Sequence, residues 1–165
     1  MPDSPFADLL SANADYAAHF KLEGLPGVAA AGVCVLTCMD SRLDPLAMLG
    51  LQIGDAKVLR TPGGHLTPDA QAGVALACQL LQVTRVLVIA HTNCAMASGT
   101  DDDLRARIHL QGGDASGRDF GADPDQEARL RADVAALQVD PLIASRATVG
   151  GFSYDVRSGR LTQLC

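Results

Sequence analysis

The chemistry of this chain is concentrated in two short motifs. Cys38-Met-Asp40-Ser-Arg42 places a thiol, a carboxylate and a guanidinium within five residues, and His91-Thr-Asn-Cys94 adds an imidazole and a second thiol. Two thiolates and one imidazole make a borderline-soft donor set suited to zinc. Three protein ligands leave the fourth tetrahedral position open to water, which separates a catalytic zinc site from a closed structural one. Each motif alone is weak. The competing reading makes Cys38 and Cys94 small buried hydrophobes and His91 a satisfied polar residue. It leaves unexplained why all three residues fall at the ends of predicted strands.

Those strands are the elements that must position the ligands. Residues 32–38 and 85–90 are apolar, β-branched runs, the pattern of strands buried on both faces in a parallel sheet. Residues 56–60 give a weaker strand ending at Thr61-Pro62-Gly63-Gly64, and residues 147–154 and 160–164 flank Ser158-Gly159 as a hairpin. Helices are predicted from Pro5 with Ser4 as cap, from Thr67-Pro68 to about Leu81, from a Thr100/Asp103 capping box to about Leu110, and after Asp123-Pro124. Residues 111–121 hold four glycines and read as a loop. Strands alternating with helices imply one α/β domain over residues 1–165 with a mainly parallel sheet, to which the hairpin adds an antiparallel edge strand. Ligand sites in such sheets lie beyond the carboxyl ends of the strands. In residues 1–27, Phe6, Leu9, Leu10, Tyr16 and Phe20 form an apolar stripe that packs either on its own domain or on a partner subunit.

Composition narrows the function. The chain has 165 residues, 48% hydrophobic and 19% charged, which excludes a disordered chain and suits one domain. A formal net charge of −6 with no basic cluster argues against nucleic-acid binding and against an anionic membrane surface. Five cysteines at irregular spacing do not form a disulfide framework, and the N-terminus lacks the pattern of a secretory signal. Both point to a reducing, cytoplasmic setting. His19 and His109 are expected on helix surfaces and His65 on a surface loop, although His65 beside Gly64 is also a candidate to move protons. Cys34 and Cys78 are expected to be packed and Cys165 to be a free exposed thiol. Asp101-Asp102-Asp103 reads as a helix N-terminus favoured by the macrodipole rather than as a cation site.

Cys38-Met-Asp40-Ser-Arg42, Arg60-Thr-Pro-Gly-Gly64 and His91-Thr-Asn-Cys94, with the terminal Asp155-Val-Arg-Ser-Gly-Arg160, resemble the short prokaryotic subclass of the β-class carbonic anhydrases. The resemblance implies a four-stranded parallel sheet with a fifth, antiparallel edge strand and flanking helices. It implies an N-terminal arm packed on the partner of a homodimer or a dimer of dimers. It assigns one Zn2+ per subunit to Cys38, His91 and Cys94, and an Asp40–Arg42 dyad beside it. The implied reaction is reversible hydration of CO2 to bicarbonate through zinc-bound hydroxide, with Ser41, Gly63 and Gly64 at the substrate pocket. In some members the Asp equivalent to Asp40 becomes a fourth zinc ligand at low pH. Hydrolysis of CS2 or COS on the same ligands, and a non-catalytic zinc sensor or scaffold, are the alternatives. The loop departs from the family's usual Arg-Asn-Ala-Gly-Gly: Thr61 loses an amide donor and Pro62 a backbone N–H. Ala95 stands where glycine is commonest.

Overall fold

The computed structural model describes residues 4–165, so the first three residues of the expected arm lie outside the described residues. Five strands form one sheet in the order β2-β1-β3-β4-β5, from β1 (Val33–Cys38), β2 (Ala56–Thr61), β3 (Arg85–His91), β4 (Thr148–Tyr154) and β5 (Leu161–Gln163). β1 pairs in parallel with β2 and β3, β3 in parallel with β4, and β5 closes antiparallel on β4. The expected fold is therefore the observed one.

The apolar runs explain the layering. β1 is buried at all six positions, as a central strand covered on both faces must be. Leu36, Val86 and Val88 meet Val74 of α2 (Pro68–Leu80), Leu137 of α4 (Gln126–Val139) and Ile143 of α5 (Pro141–Ala144) on one face. Val33, Val35 and Ile89 form a smaller cluster on the other, with Phe152 and Leu161. Leu137 is fully buried. Leu137→Ala is expected to lower stability by about 2–5 kcal/mol, the usual cost of a core leucine cavity, read from the midpoint of urea unfolding.

Two helix starts differ from expectation, and one short helix was not expected. α1 runs Ala7–Ala18, because Ser4 holds a turn through residues 5–6, with its Oγ accepting from Phe6 N and its carbonyl from Ala7 N. The cap of α4 is Asp125, since Asp123 is spent accepting from Asp125 N. α5 was not anticipated, although Asp140 caps it and Pro141 opens it in the favoured way. α3 (Asp101–Leu110) begins with the expected reciprocal Thr100–Asp103 capping box. α1 buries none of its residues, and Phe6, Leu9, Leu10, Tyr16 and Phe20 remain exposed along it and just beyond. Among the described residues, no helix is long and apolar enough to cross a membrane.

Candidate metal centre

Because β1 and β3 are adjacent and parallel, their carboxyl ends lie side by side. Cys38 is the last residue of β1 and His91 the last of β3. Asn93, at φ +55°, turns the chain so that Cys94 swings back towards the other two. The ligand atoms of Cys38, His91 and Cys94 all lie within 4.8 Å of one another, and the three side chains are buried. The two sulfurs are 4.0 Å apart.

His91 fixes which atom would bind. Its Nδ1 lies 2.9 Å from the Thr92 carbonyl, which can only accept, so Nδ1 carries the proton and Nε2 presents its lone pair. Nε2 is buried without any hydrogen-bond partner, an expensive arrangement for a polar atom. An ion between Nε2 and the two sulfurs removes that cost, and the donor set fits zinc with one position free. The thiols are already unequal. The hydrogen bond the two sulfurs share outweighs burial in favouring the Cys38 thiolate, and the same bond pushes the Cys94 thiol up.

Asp40 and Arg42 form a two-pronged pair beside this triad. Arg42 N and Nε each donate to Asp40 Oδ1 at 2.9 Å, and Nη2 donates to Oδ2 at 2.7 Å. These hydrogen bonds hold the Asp40 carboxyl well below the usual carboxylate range. Nη2 also reaches the Asn93 carbonyl at 3.1 Å, tying the loop after β1 to the loop after β3. Asp40 Oδ2 stands 4.0 Å from His91 Nε2. Arg60 received no role from the sequence. Its Nε donates to the Cys38 carbonyl at 3.0 Å and its Nη2 to the Asp40 carbonyl at 2.6 Å, so it clamps the backbone carrying both residues. A cation at the end of β2, next to the β1 motif, was the available signal.

A pocket of about 220 Å3 opens at the triad, walled by Cys38, Asp40, Cys94, Pro62, Gly63, Met39 and Met96. Gly63 is therefore at the pocket. Gly64 lies beneath it, at φ +73°, where a Cβ would stand 2.9 Å from the Ile89 carbonyl oxygen and 3.0 Å from Cys38 N, so only glycine lets this turn approach β1 and β3. Ser41 is exposed and lies outside the wall. Thr61, in place of asparagine, donates through Oγ1 to the His65 carbonyl at 2.7 Å.

Two outlying expectations need correction. His65 is not a surface histidine, because the turn folds it inward and it is 6% exposed. Cys165 is half-buried rather than exposed, packed against the main core by the bonds between its backbone and Gly151. The others stand: His19 and His109 are exposed, Cys34 and Cys78 are buried, and burial pushes the Cys34 thiol up to about 12. Asp101 adds a task to its helix N-terminus by accepting from Phe120 N and Ala122 N, which pins the loop after α3.

The carbonic anhydrase family model matches residues 33–116. β-Carbonic anhydrase 1 of Mycobacterium tuberculosis is 32% identical over 157 residues, covering 95% of this chain and 96% of that protein. A carbon disulfide hydrolase of Acidithiobacillus thiooxidans is 31% identical over 160 residues, covering 84% of this chain and 78% of that protein. The crystal structure of carbonic anhydrase from Streptococcus mutans superposes with a TM-score of 0.86 at 33% identity, with all of both chains covered. Sheet order, buried triad and sequence agree: this chain belongs to the β-carbonic anhydrase family.

Proposed function

We propose that the protein catalyses the reversible hydration of CO2 to bicarbonate and a proton, with one zinc ion per subunit held by Cys38, His91 and Cys94. The observation that carries this is the buried, unpartnered His91 Nε2 set among two thiol sulfurs and 4.0 Å from Asp40 Oδ2. Zinc in this donor set would supply a Lewis acid that makes water more acidic, though less so than three neutral histidines would allow, because two thiolates offset the ion's charge. The protein supplies the rest. Asp40 accepts a hydrogen bond from the attacking water and thereby aims a lone pair at carbon. Arg42 keeps Asp40 ionised and oriented, with a planar fork that lysine cannot reproduce. Pro62, Met39 and Met96 give the pocket an apolar wall suited to a small uncharged substrate. A non-catalytic zinc site needs neither the Asp40–Arg42 pair nor this pocket.

The carbon disulfide hydrolase relative keeps hydrolysis of CS2 as the second reading, over a smaller shared length than the carbonic anhydrase relative. The exposed stripe on α1 supports a homodimer, in which one arm covers the neighbouring subunit. Five free cysteines support a reducing, cytoplasmic setting.

Stopped-flow hydration of CO2, with zinc measured on the same sample, tests the reading. The rate is expected to rise with pH above neutral, because water must be deprotonated before it attacks. A fully zinc-loaded sample with no hydration at alkaline pH, or one that turns over CS2 alone, overturns it.

A further inference from the structure

Behind Gly63 of the metal pocket's wall, and lining a second cavity, stands a buried imidazole that the chemistry above leaves unused. The Pro62–Gly64 turn folds the His65 ring over Gly63, where a Cβ would lie 2.5 Å from Nε2 and 2.6 Å from Cε1. Gly63 is part of the metal pocket's wall. On the opposite side of the ring, Nδ1 lies 3.8 Å from the place a Cβ on Gly121 would take. His65, Gly121, Pro62, Phe120, Arg118 and Arg129 line the second cavity, of about 520 Å3. Pro62 thus belongs to both walls. Nδ1 is buried without a well-formed hydrogen bond, the Gly121 backbone being the polar group beside it.

CO2 hydration releases one proton for every bicarbonate formed, and that proton must leave a small, half-enclosed pocket. We propose that His65 is the proton-transfer residue of this site, taking the proton that leaves the metal pocket and passing it to a buffer base in the second cavity. The inference rests on the CO2-hydration reading. The sum is CO2 + H2O + base → bicarbonate + protonated base, and His65 returns to its neutral form each turnover, with only N–H bonds made and broken. Its charged neighbours are Arg129 and Asp133 of α4 and Asp123 of the loop after α3, with Arg118 and Asp119 across the cavity. Burial first, then Arg129, favours the neutral ring and prevails, while Asp133, the Gly121 backbone and Asp123 favour the imidazolium. The ring is thus neutral near pH 7, as an acceptor must be.

Zinc-loaded His65→Ala and His65→Gln test this. In dilute buffer, kcat is expected to fall about 100-fold, the lower end of what a positioned proton-transfer group contributes, while kcat/KM is unchanged. Added imidazole should restore kcat. Undiminished kcat in dilute buffer overturns the proposal, as does an equal loss in kcat and kcat/KM that imidazole does not repair. Should both variants misfold, nuclear magnetic resonance of the His65 ring in the zinc-loaded wild type decides. A reversible titration below the ordinary ~6.5 supports the relay, and a ring that never protonates ends it. A wild type that hydrates no CO2 refutes the parent reading and this one together, whereas active wild type with unaffected variants refutes only the role of His65.

Discussion

Cys94→Ser is expected to give a folded protein that purifies without stoichiometric zinc. Its CO2 hydration should fall by more than ~100-fold, the upper end for losing a group that merely orients a ligand. The substitution changes little in shape. Cys94 packs against Cys38 and Leu43, at the start of a single helical turn, and a serine fits the same space. Nearby, Asp123 N still donates to the Met96 carbonyl at 2.9 Å, so the loop after α3 stays attached. What changes is the donor. A serine hydroxyl does not ionise near neutral pH and is a harder ligand than a thiolate, so the remaining Cys38 and His91 would hold a borderline-soft cation far more weakly. Elemental analysis of the purified variant, with stopped-flow hydration, reads both effects. The variant should also melt at a lower temperature than the zinc-loaded wild type, because a ligand bound only to the folded state stabilises it. Stoichiometric zinc in Cys94→Ser would break the proposed ligand set.

That the sheet was readable in advance follows from how it is built. β1 and β3 are continuous apolar runs because both faces are covered, and such runs mark themselves in composition alone. The clustered Cys38, His91 and Cys94 were legible for the same reason, since each directly ends or follows such a run. What escaped were features set by chain packing rather than by local pattern. His65 follows a Pro-Gly-Gly turn, the local signature of a surface loop. The turn instead runs beneath α4, where Asp133 Oδ2 accepts from Leu66 N and Arg129 Nε donates to Asp133 Oδ1. No short-range signal in residues 62–65 announces a carboxylate nearly seventy positions away. Arg60 escaped likewise, because its role depends on register: Arg60 stands opposite Thr37, one step before Cys38, so its guanidinium reaches the Cys38 and Asp40 carbonyls. The caps of α1 and α4 slipped by two residues because a Ser or Asp can cap a turn as readily as a helix.

Asp40→Asn separates binding from catalysis at the same site. It is expected to keep one zinc per subunit yet lose about 10²–10⁴-fold in kcat, the range for a positioned proton-accepting group. In the wild type, Oδ1 takes two donors from Arg42 and Oδ2 takes a third. An asparagine offers one acceptor oxygen and one amide nitrogen that only donates. Whichever way it is turned, one prong of the Arg42 fork meets another donor, and Arg42 loses its counter-charge. The position of the oxygen now 4.0 Å from His91 Nε2 is then taken either by the amide nitrogen, which donates, or by a poorly oriented oxygen. The pH profile makes the test sharper. Because Arg42 holds the Asp40 carboxyl well below the usual carboxylate range, Asp40 is ionised across the whole working range. Its contribution to stability is present above the ordinary carboxylate pKa of ~3.9 and is lost only as pH falls through its lowered folded value. Asp40 therefore does not titrate between about pH 6 and pH 9, and a rise in rate over that range would report the water that zinc activates. Asp40→Asn should accordingly follow the same rising profile as the wild type at a much smaller amplitude. A profile that goes flat on this substitution would mean that Asp40 is itself the titrating group, and that the strength assigned to its pair with Arg42 is wrong.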